Sequence, residues 1–344
     1  MKNKLLKKVY CKQPIVKPTK FSSTISEERK SFILSGNKKW VNGTDIKYFF
    51  TGGAEEQRKV VRDAFALWKK LGIGISFSEV NSIEASICRI GFDLTNGSWS
   101  YVGRDNLTIS ITKNTMNFGW DLTQNSYGMT TALHEIGHLL GFQHEHQSPF
   151  SGIEWNTIAV YRAFRGSPNF WSKKTVDHNI LNKMPPNQVI GSSWDPKSIM
   201  QYEFDAGLIL NPEPYNNGLF PPGILSENDI QGMRKIYPIL TTNSIQIQKD
   251  SPVAINAQSG FQEDFEFEPE VTKKYTFETN GTLDTVMVIW EIDGAEKHYL
   301  SGDDDTGTDA NAKIILPLIK GRKYLVNVRV VYAANNQRGT LTIS

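Results

Sequence analysis

Two cysteines in 344 residues rule out a disulfide framework, since Cys11 and Cys88 could form one bridge at most. No stretch reaches the roughly 18 consecutive apolar residues that a membrane span requires, so no segment is expected to cross a bilayer. Charge of one sign is also lacking. Lys and Arg number 38 against 36 Asp and Glu, a net +2, which argues against a nucleic-acid partner or an anionic membrane surface. The first eight residues carry four lysines and begin as a signal peptide would, but no apolar core follows, so no secretory signal is visible. No internal repeat is found. What remains is a composition with 39% hydrophobic and 22% charged residues, that of a soluble globular protein, and a length suited to two domains.

Residues 1–37 are polar and basic, broken by Pro14 and Pro18, and read as a leader or pro-segment. Asp45–Phe50 reads as a strand. In 54–71, Val60, Val61, Ala64, Phe65, Leu67 and Trp68 recur at helical spacing. Strands are expected at 73–80 and 85–92, with further extended pieces at 99–102 and 107–111. Thr130 to Leu140 predicts a helix that Gly141 stops. From 148 to 237 the chain is loop-rich, with short helices expected at 156–164 and 227–236, the second opened by Ser226 and Asp229 in a capping-box arrangement. Beyond Pro238, strand-like runs alternate with Gly/Asp/Asn turns. The expected organisation is a leader at 1–37, a catalytic domain at 38–240 and an all-β sandwich at 241–344. The fold class is α+β.

The chemistry concentrates in one place. Four of the six histidines fall between 134 and 146. His134 and His138 are four apart, so on a helix they project from one face and can grip a single ion. His144 cannot reach that ion if the helix continues. Gly141, lacking Cβ, can adopt positive φ, end the helix and swing His144 back. Three imidazoles suit Zn2+ and leave a position for water, whose pKa the ion lowers toward about 7. Glu135, in the same helix but turned aside, is placed to take that water's proton as general base and return it to the leaving amine. The plain alternative is a helix with histidines beside a capping glycine. Five fixed positions would coincide by chance on the order of once in 10⁵ such chains, which decides for the metal site.

These residues resemble the metzincin clan of zinc peptidases. The clan's methionine turn is matched by Ser198-Ile-Met200-Gln-Tyr202, with Met200 as the floor beneath the histidines, a role hard to separate from ordinary core packing. Within the clan the chain is similar to the astacin family, in 141–145, in 97–104 and in 229–237. The resemblance implies a zincin-like domain with a twisted sheet and an active-site helix, an endopeptidase acting on proteins or peptides, and action outside the cell. It also implies that Tyr202 binds zinc at rest as a fifth ligand and hydrogen-bonds the tetrahedral intermediate in catalysis. The disulfides of animal astacins have no counterpart here, and the segments 146–149, 153–156 and 177–179 look like the compact bacterial and fungal members.

Other residues carry two readings each. Trp99, Ser100 and Tyr101 are either a sheet edge to which a peptide substrate adds as a strand, or an anchor of that sheet. Cys11 is either a latency switch, its thiolate taking the water's place on zinc, or an incidental thiol or partner of Cys88. His146 and His178 are read as structural. The tail resembles the β-sandwich of secreted bacterial peptidases, and Asp303-Asp-Asp305 is either a Ca2+ site or a solvated turn. Two rivals stand beside the main reading. One is a serralysin-like peptidase, disfavoured by the missing calcium repeats. The other is a silent binding protein on a peptidase scaffold, disfavoured by an intact Glu135 and ligand set.

Overall fold

The computed structural model describes residues 10–16, 38–40, 42–186, 193–239, 244–258, 260–294, 296–304, 306–333 and 336–344. Most of the leader, the expected boundary at 241 and Asp305 lie outside these. The described residues form two compact units, one built on Thr44–Arg234 and the other on Lys235–Ser344.

In the first unit, strands β1 (Asp45–Phe50), β2 (Ser76–Glu79), β3 (Cys88–Gly91), β4 (Trp99–Ser100) and β5 (Met116–Asn117) make one sheet in the order β2-β1-β3-β5-β4. Neighbours run parallel except β4, which pairs antiparallel with β5 at the sheet's edge. Helix α1 (Glu55–Lys69) buries Val61, Ala64, Phe65 and Trp68, the spacing of a single apolar stripe. Its first turn holds Glu55 and Glu56 and its last Lys69, charges that suit the helix dipole. Helix α2 (Tyr127–Leu139) is buried on nearly every side, as its run of apolar and small residues requires. The Trp68 indole donates to the Leu133 carbonyl at 3.1 Å, fastening α1 to α2.

Two local expectations change. Helix α2 starts at Tyr127 rather than Thr130, because the Asn125 side chain accepts the Tyr127 N–H at 2.8 Å. The piece expected to be extended at 107–111 falls partly in a 3₁₀ helix, Gly103–Thr108, which Asn106 tightens by donating to the Tyr101 and Gly103 carbonyls.

Gly137 shows how closely α2 packs. A Cβ built there would lie 2.4 Å from the Met200 sulfur. Gly137→Ala should therefore destabilise by about 1–3 kcal/mol through overpacking, despite the better helix propensity of alanine. Gly232, in the helix at Glu227–Ile236, has nothing within 4 Å of such a Cβ. Gly232→Ala should stabilise by up to about 1 kcal/mol. Urea titrations of both variants check the opposite signs.

After α2 the chain forms β6 (Glu154–Trp155), α3 (Thr157–Arg165), α4 (Lys173–Val176) and β7 (Ile209–Asn211), with β6 and β7 paired antiparallel. Asn156 caps α3, its side chain accepting the Ala159 N–H at 3.2 Å. Trp155, Phe164, Trp171, Tyr202 and Phe204 pack together here. Helix α5 (Glu227–Ile236) opens with the expected reciprocal box: Asp229 N–H donates to Ser226 Oγ at 3.0 Å, and Ser226 N–H to Asp229 Oδ2 at 2.9 Å.

The second unit carries β8 (Ile245–Gln246), β9 (Val253–Ile255), β10 (Gln262–Phe267), β11 (Lys273–Gly281), β12 (Asp284–Asp293), β13 (Glu296–Asp303), β14 (Lys313–Leu318), β15 (Lys323–Tyr332) and β16 (Gly339–Ile343). They form two sheets, β13-β12-β15-β10-β8 and β14-β11-β16-β9. Alternate residues such as Tyr275 and Phe277, or Val326 and Val328, enter one shared core, as expected of an all-β sandwich. Calcium finds no support there. Asp303 Oδ2 accepts the N–H groups of Thr306 and Lys313 at 3.1 and 2.7 Å, which is turn work. Among the described residues, the one group of side chains able to hold a metal lies in the first unit. No helix of the described residues is long and apolar enough to cross a membrane.

Candidate metal centre

The end of α2 builds the site. Gly141 adopts φ +101°. Its N–H donates to the His138 carbonyl at 2.8 Å, and the Phe142 N–H to the Gly137 carbonyl at 3.0 Å. That bond pair is a Schellman motif, and it turns the chain so that His144 returns to the helix. The Trp40 indole donates to the Leu139 carbonyl at 2.6 Å, closing another orphan acceptor of the helix end.

His134, His138 and His144 are all buried, and their rings gather with centroids 4.6 to 5.4 Å apart. Each Nδ1 meets an oxygen acceptor: the Ile199 carbonyl for His134 and the Phe142 carbonyl for His138, both at 2.8 Å, and Gln147 Oε1 for His144 at 3.3 Å. Acceptors at Nδ1 place the proton there and leave each Nε2 with its lone pair inward. Nε2 of His138 and of His144 face each other at 2.9 Å, and His134 Nε2 is buried with no hydrogen-bond partner among the described residues. Three lone pairs converging in a dry space repel unless a cation lies among them. Burial also holds the rings neutral, His134 down to about 4 and His138 and His144 well below the usual value. Neutral imidazole is the form that ligates, and the set fits zinc.

Glu135 is fully buried, and burial pushes its carboxyl up to about 8. Its Oε1 has no hydrogen-bond partner among the described residues, and its Oε2 accepts from the Cys11 thiol at 3.4 Å. Cys11 Sγ also lies 3.5 Å from His138 Nε2. Together Cys11, His134, His138 and His144 offer four ligand atoms within 4.8 Å of one another. Both cysteines are free, so the bridge between Cys11 and Cys88 is not formed.

The chain around Cys11 lies in the cleft. Lys12 N–H donates to the Ser98 carbonyl at 2.8 Å, next to the edge strand β4, and Gln13 N–H to Asn179 Oδ1 at 2.9 Å. Tyr10 packs edge-on against Phe164 at 4.8 Å. The edge at Trp99, Ser100 and Tyr101 is thus partly matched by the chain's own leader. Trp99 is half-buried and meets the Tyr101 ring at 5.8 Å, while Ser100 is wholly buried in pairing with β5.

Tyr202 stands beside His144 at 4.4 Å, and its hydroxyl donates to the Cys11 carbonyl at 2.5 Å. In this state the hydroxyl is spent on the leader. His146 packs on Tyr202 at 4.6 Å and its Nε2 bonds the Asn179 carbonyl at 2.9 Å, a packing role. Met200 lies under α2 with its sulfur against Gly137.

Several supporting groups escaped the sequence reading. Asp229, beyond its capping box, accepts from Ser198 Oγ at 2.6 Å and from the Ile199 N–H at 2.7 Å. It thereby holds the turn whose Ile199 carbonyl orients His134. Glu145 accepts the Asp195 N–H at 2.9 Å, and its own N–H donates to the Met200 carbonyl at 3.1 Å. Gln147 holds His144 while donating to the His178 and Asn182 carbonyls. The Ser226–Asp229 spacing signalled one of these beforehand, and the resemblance at 141–145 included Glu145 without giving its partners.

A three-histidine set on a helix and its return loop, with a buried carboxylate one residue past the first ligand, has the form of a metal-dependent hydrolytic centre. The family model described as Astacin, a peptidase family, matches residues 32–208, half of the chain, and the chain belongs to that family. It is similar to bone morphogenetic protein 1 of Xenopus laevis, 29% identical over 226 residues that cover 61% of this chain and 28% of that protein. It is similar also to Tolloid-like protein 1 of Mus musculus, 32% identical over 203 residues, 55% of this chain and 17% of that protein. The chain thus spans less than a third of the length of these relatives. Among solved structures it is similar to myroilysin, 35% identical with a TM-score of 0.54, covering 59% of this chain and 96% of that one.

Proposed function

We propose that the protein is a zinc-dependent endopeptidase that cuts protein or peptide substrates, with His134, His138 and His144 holding the ion. The single observation that carries this reading is the convergence of three Nε2 lone pairs, each fixed by an oxygen acceptor at its Nδ1. Zinc bound there supplies a Lewis acid that brings a water's pKa toward about 7. Glu135 accepts the proton of the attacking water and delivers it to the leaving nitrogen. Tyr202, once its hydroxyl leaves the Cys11 carbonyl, would donate to the developing oxyanion or serve as a further ligand to the ion. Met200 supports the histidines from below. The edge at Trp99, Ser100 and Tyr101 aligns substrate as an added strand. In this reading the leader spans 1–37, the catalytic domain 38–240 and the sandwich 241–344.

Latency belongs to the same reading. Cys11 reaches the ligand cluster while its backbone engages Tyr202, and the neighbouring Lys12 N–H donates to the Ser98 carbonyl. The leader therefore occupies both the ligand position and the strand position that a substrate would need. With zinc bound, the Cys11 thiol would be a further ligand beside the three histidines until the leader is removed.

The direct test is His138→Ala. Its ring is one of three ligands and its Nδ1 closes the loop to Phe142. The variant should lose zinc and peptide hydrolysis together, as should the parent protein treated with a chelator. Stoichiometric zinc retained after dialysis against a weak chelator would reject the ligand assignment.

A further inference from the structure

The leader lays an aromatic ring next to the ligand cluster. Tyr10 directly precedes Cys11, whose thiol reaches the histidines, and neighbouring Cα atoms lie only about 3.8 Å apart. The half-buried Tyr10 ring meets Phe164 edge-on, with centroids 4.8 Å apart and planes at 61°, and meets the Tyr202 ring at 5.4 Å. Tyr202 in turn meets His144 at 4.4 Å, so a single ring links the Tyr10 position to a candidate ligand. Phe164 is backed by Trp171, stacked on it at 5.4 Å. The Tyr10 N–H donates to Asn169 Oδ1 at 3.3 Å, which fixes the backbone from which the ring hangs. Asn169 belongs to the turn after α3, closed by Phe170 N–H on the Gly166 carbonyl at 2.9 Å and Trp171 N–H on the Phe164 carbonyl at 3.0 Å. With the leader in place, Phe164 and Tyr202 are only 1% and 5% exposed. Tyr10 is part of that cover, so removing the leader bares apolar ring surface beside the cluster.

We infer that the place filled by the Tyr10 ring is a substrate subsite that selects Phe or Tyr within two positions of the cut bond, with Phe164 as its specificity-determining residue. The inference rests on the peptidase reading of the site and on the leader's withdrawal from the cleft. A peptide backbone fits there, since Lys12 donates to the Ser98 carbonyl beside the edge strand. The next residue but one toward the N-terminus, Tyr10, sends its ring onto Phe164 and Tyr202. A substrate ring in the same place restores the cover that those two side chains lose. Burying such a ring is worth about tenfold to a hundredfold in affinity over a small side chain. The edge-on contact with Phe164 adds about twofold to tenfold over an aliphatic chain of like area. A charged side chain would exchange water for a wall of rings and is rejected.

The test uses the zinc-loaded full-length protein, folded intact, cut near residue 37 and freed of its leader, acting on a random peptide library with both product termini read by mass spectrometry. Phe and Tyr should be enriched about tenfold or more over Ala at one position within two residues of the cut. The ratio of kcat/KM for a Phe peptide over its Leu counterpart should fall about threefold or more in F164L, which keeps an apolar side chain but removes the ring. A second arm leaves the enzyme unaltered, so it stands even if F164L fails to fold. The acetylated peptide of residues 10–16 should inhibit the cut protein, about tenfold more weakly as Tyr10→Ala and nearly as well as Tyr10→Phe. An aliphatic or charged preference in the parent overturns the inference while the peptidase reading stands. So does an aromatic preference that folded F164L leaves intact, or a leader peptide that binds no better than its Tyr10→Ala form. Absence of any chelator-sensitive cleavage overturns the peptidase reading itself, and this inference with it.

Discussion

Glu135→Gln should retain zinc and fold yet lose about 10²–10⁴-fold in turnover, the usual worth of a positioned general base. The geometry separates this residue from the three histidines. Glu135 follows His134 directly in α2, so its side chain leaves the helix about 100° around from that ring. It is fully buried, Oε1 has no hydrogen-bond partner among the described residues, and Oε2 accepts from Cys11. A carboxylate kept so dry is costly to the fold unless it has a task. Glutamine matches its size but cannot take a proton. The midpoint of thermal unfolding should therefore hold or rise, since a buried ionisable group is removed. In protein cut near residue 37, kcat and kcat/KM should fall together, because the lost interaction belongs to the transition state. Zinc content by elemental analysis should stay at one per chain. Turnover within a few-fold of the parent would remove Glu135 from the mechanism.

The gathering of the three candidate ligands was legible because its logic is local. The helical period puts His134 and His138 on one face, and a glycine three residues past the second predicts the turn that returns His144. The Schellman bonds at Gly141 and Phe142 are that turn. Asp229 was half legible. Its pairing with Ser226 spans three residues and reads from the sequence, while its bonds to Ser198 and Ile199 span about thirty positions and carry no pattern. The segment at 107–111 misled for a related reason. Its Leu and Ile suggested extension, but one amide, that of Asn106, wraps the preceding turn instead. Acceptors for the imidazoles were out of reach altogether. Two of the three are backbone carbonyls, which every residue has, so only the folded path reveals which carbonyl is used. Cys11 was visible as a thiol in a basic leader. Its approach to Glu135 and His138 spans more than a hundred positions, and no periodicity encodes that.

Intact full-length protein should hydrolyse peptides about 10²-fold more slowly than the same protein cut near residue 37, with Cys11→Ser between them. The order follows from how the leader is held. Cys11 contributes its thiol to the cluster of three histidines. The backbone grips independently, through Lys12 to Ser98, Gln13 to Asn179 and Tyr202 to the Cys11 carbonyl. Serine removes the thiolate, a zinc ligand at about 2.3 Å, but leaves those hydrogen bonds in place. Cutting removes both. The size of the effect follows from tethering. A ligand on its own chain acts at an effective concentration of roughly millimolar. Even a weak intrinsic affinity of about 10 µM then leaves only about one molecule in a hundred open at any moment. Thiol reagents should activate too, but slowly. Cys11 is buried, and burial together with the charge of Glu135 pushes its thiol up, so modification waits for the leader to lift away. Mass spectrometry of the labelled protein should place the adduct on Cys11, with zinc content unchanged. Equal rates for the intact, cut and Cys11→Ser forms would dispose of the switch. Activation by cutting alone, with Cys11→Ser as slow as the parent, would move the block from the thiol to the strand that the leader adds beside Ser98.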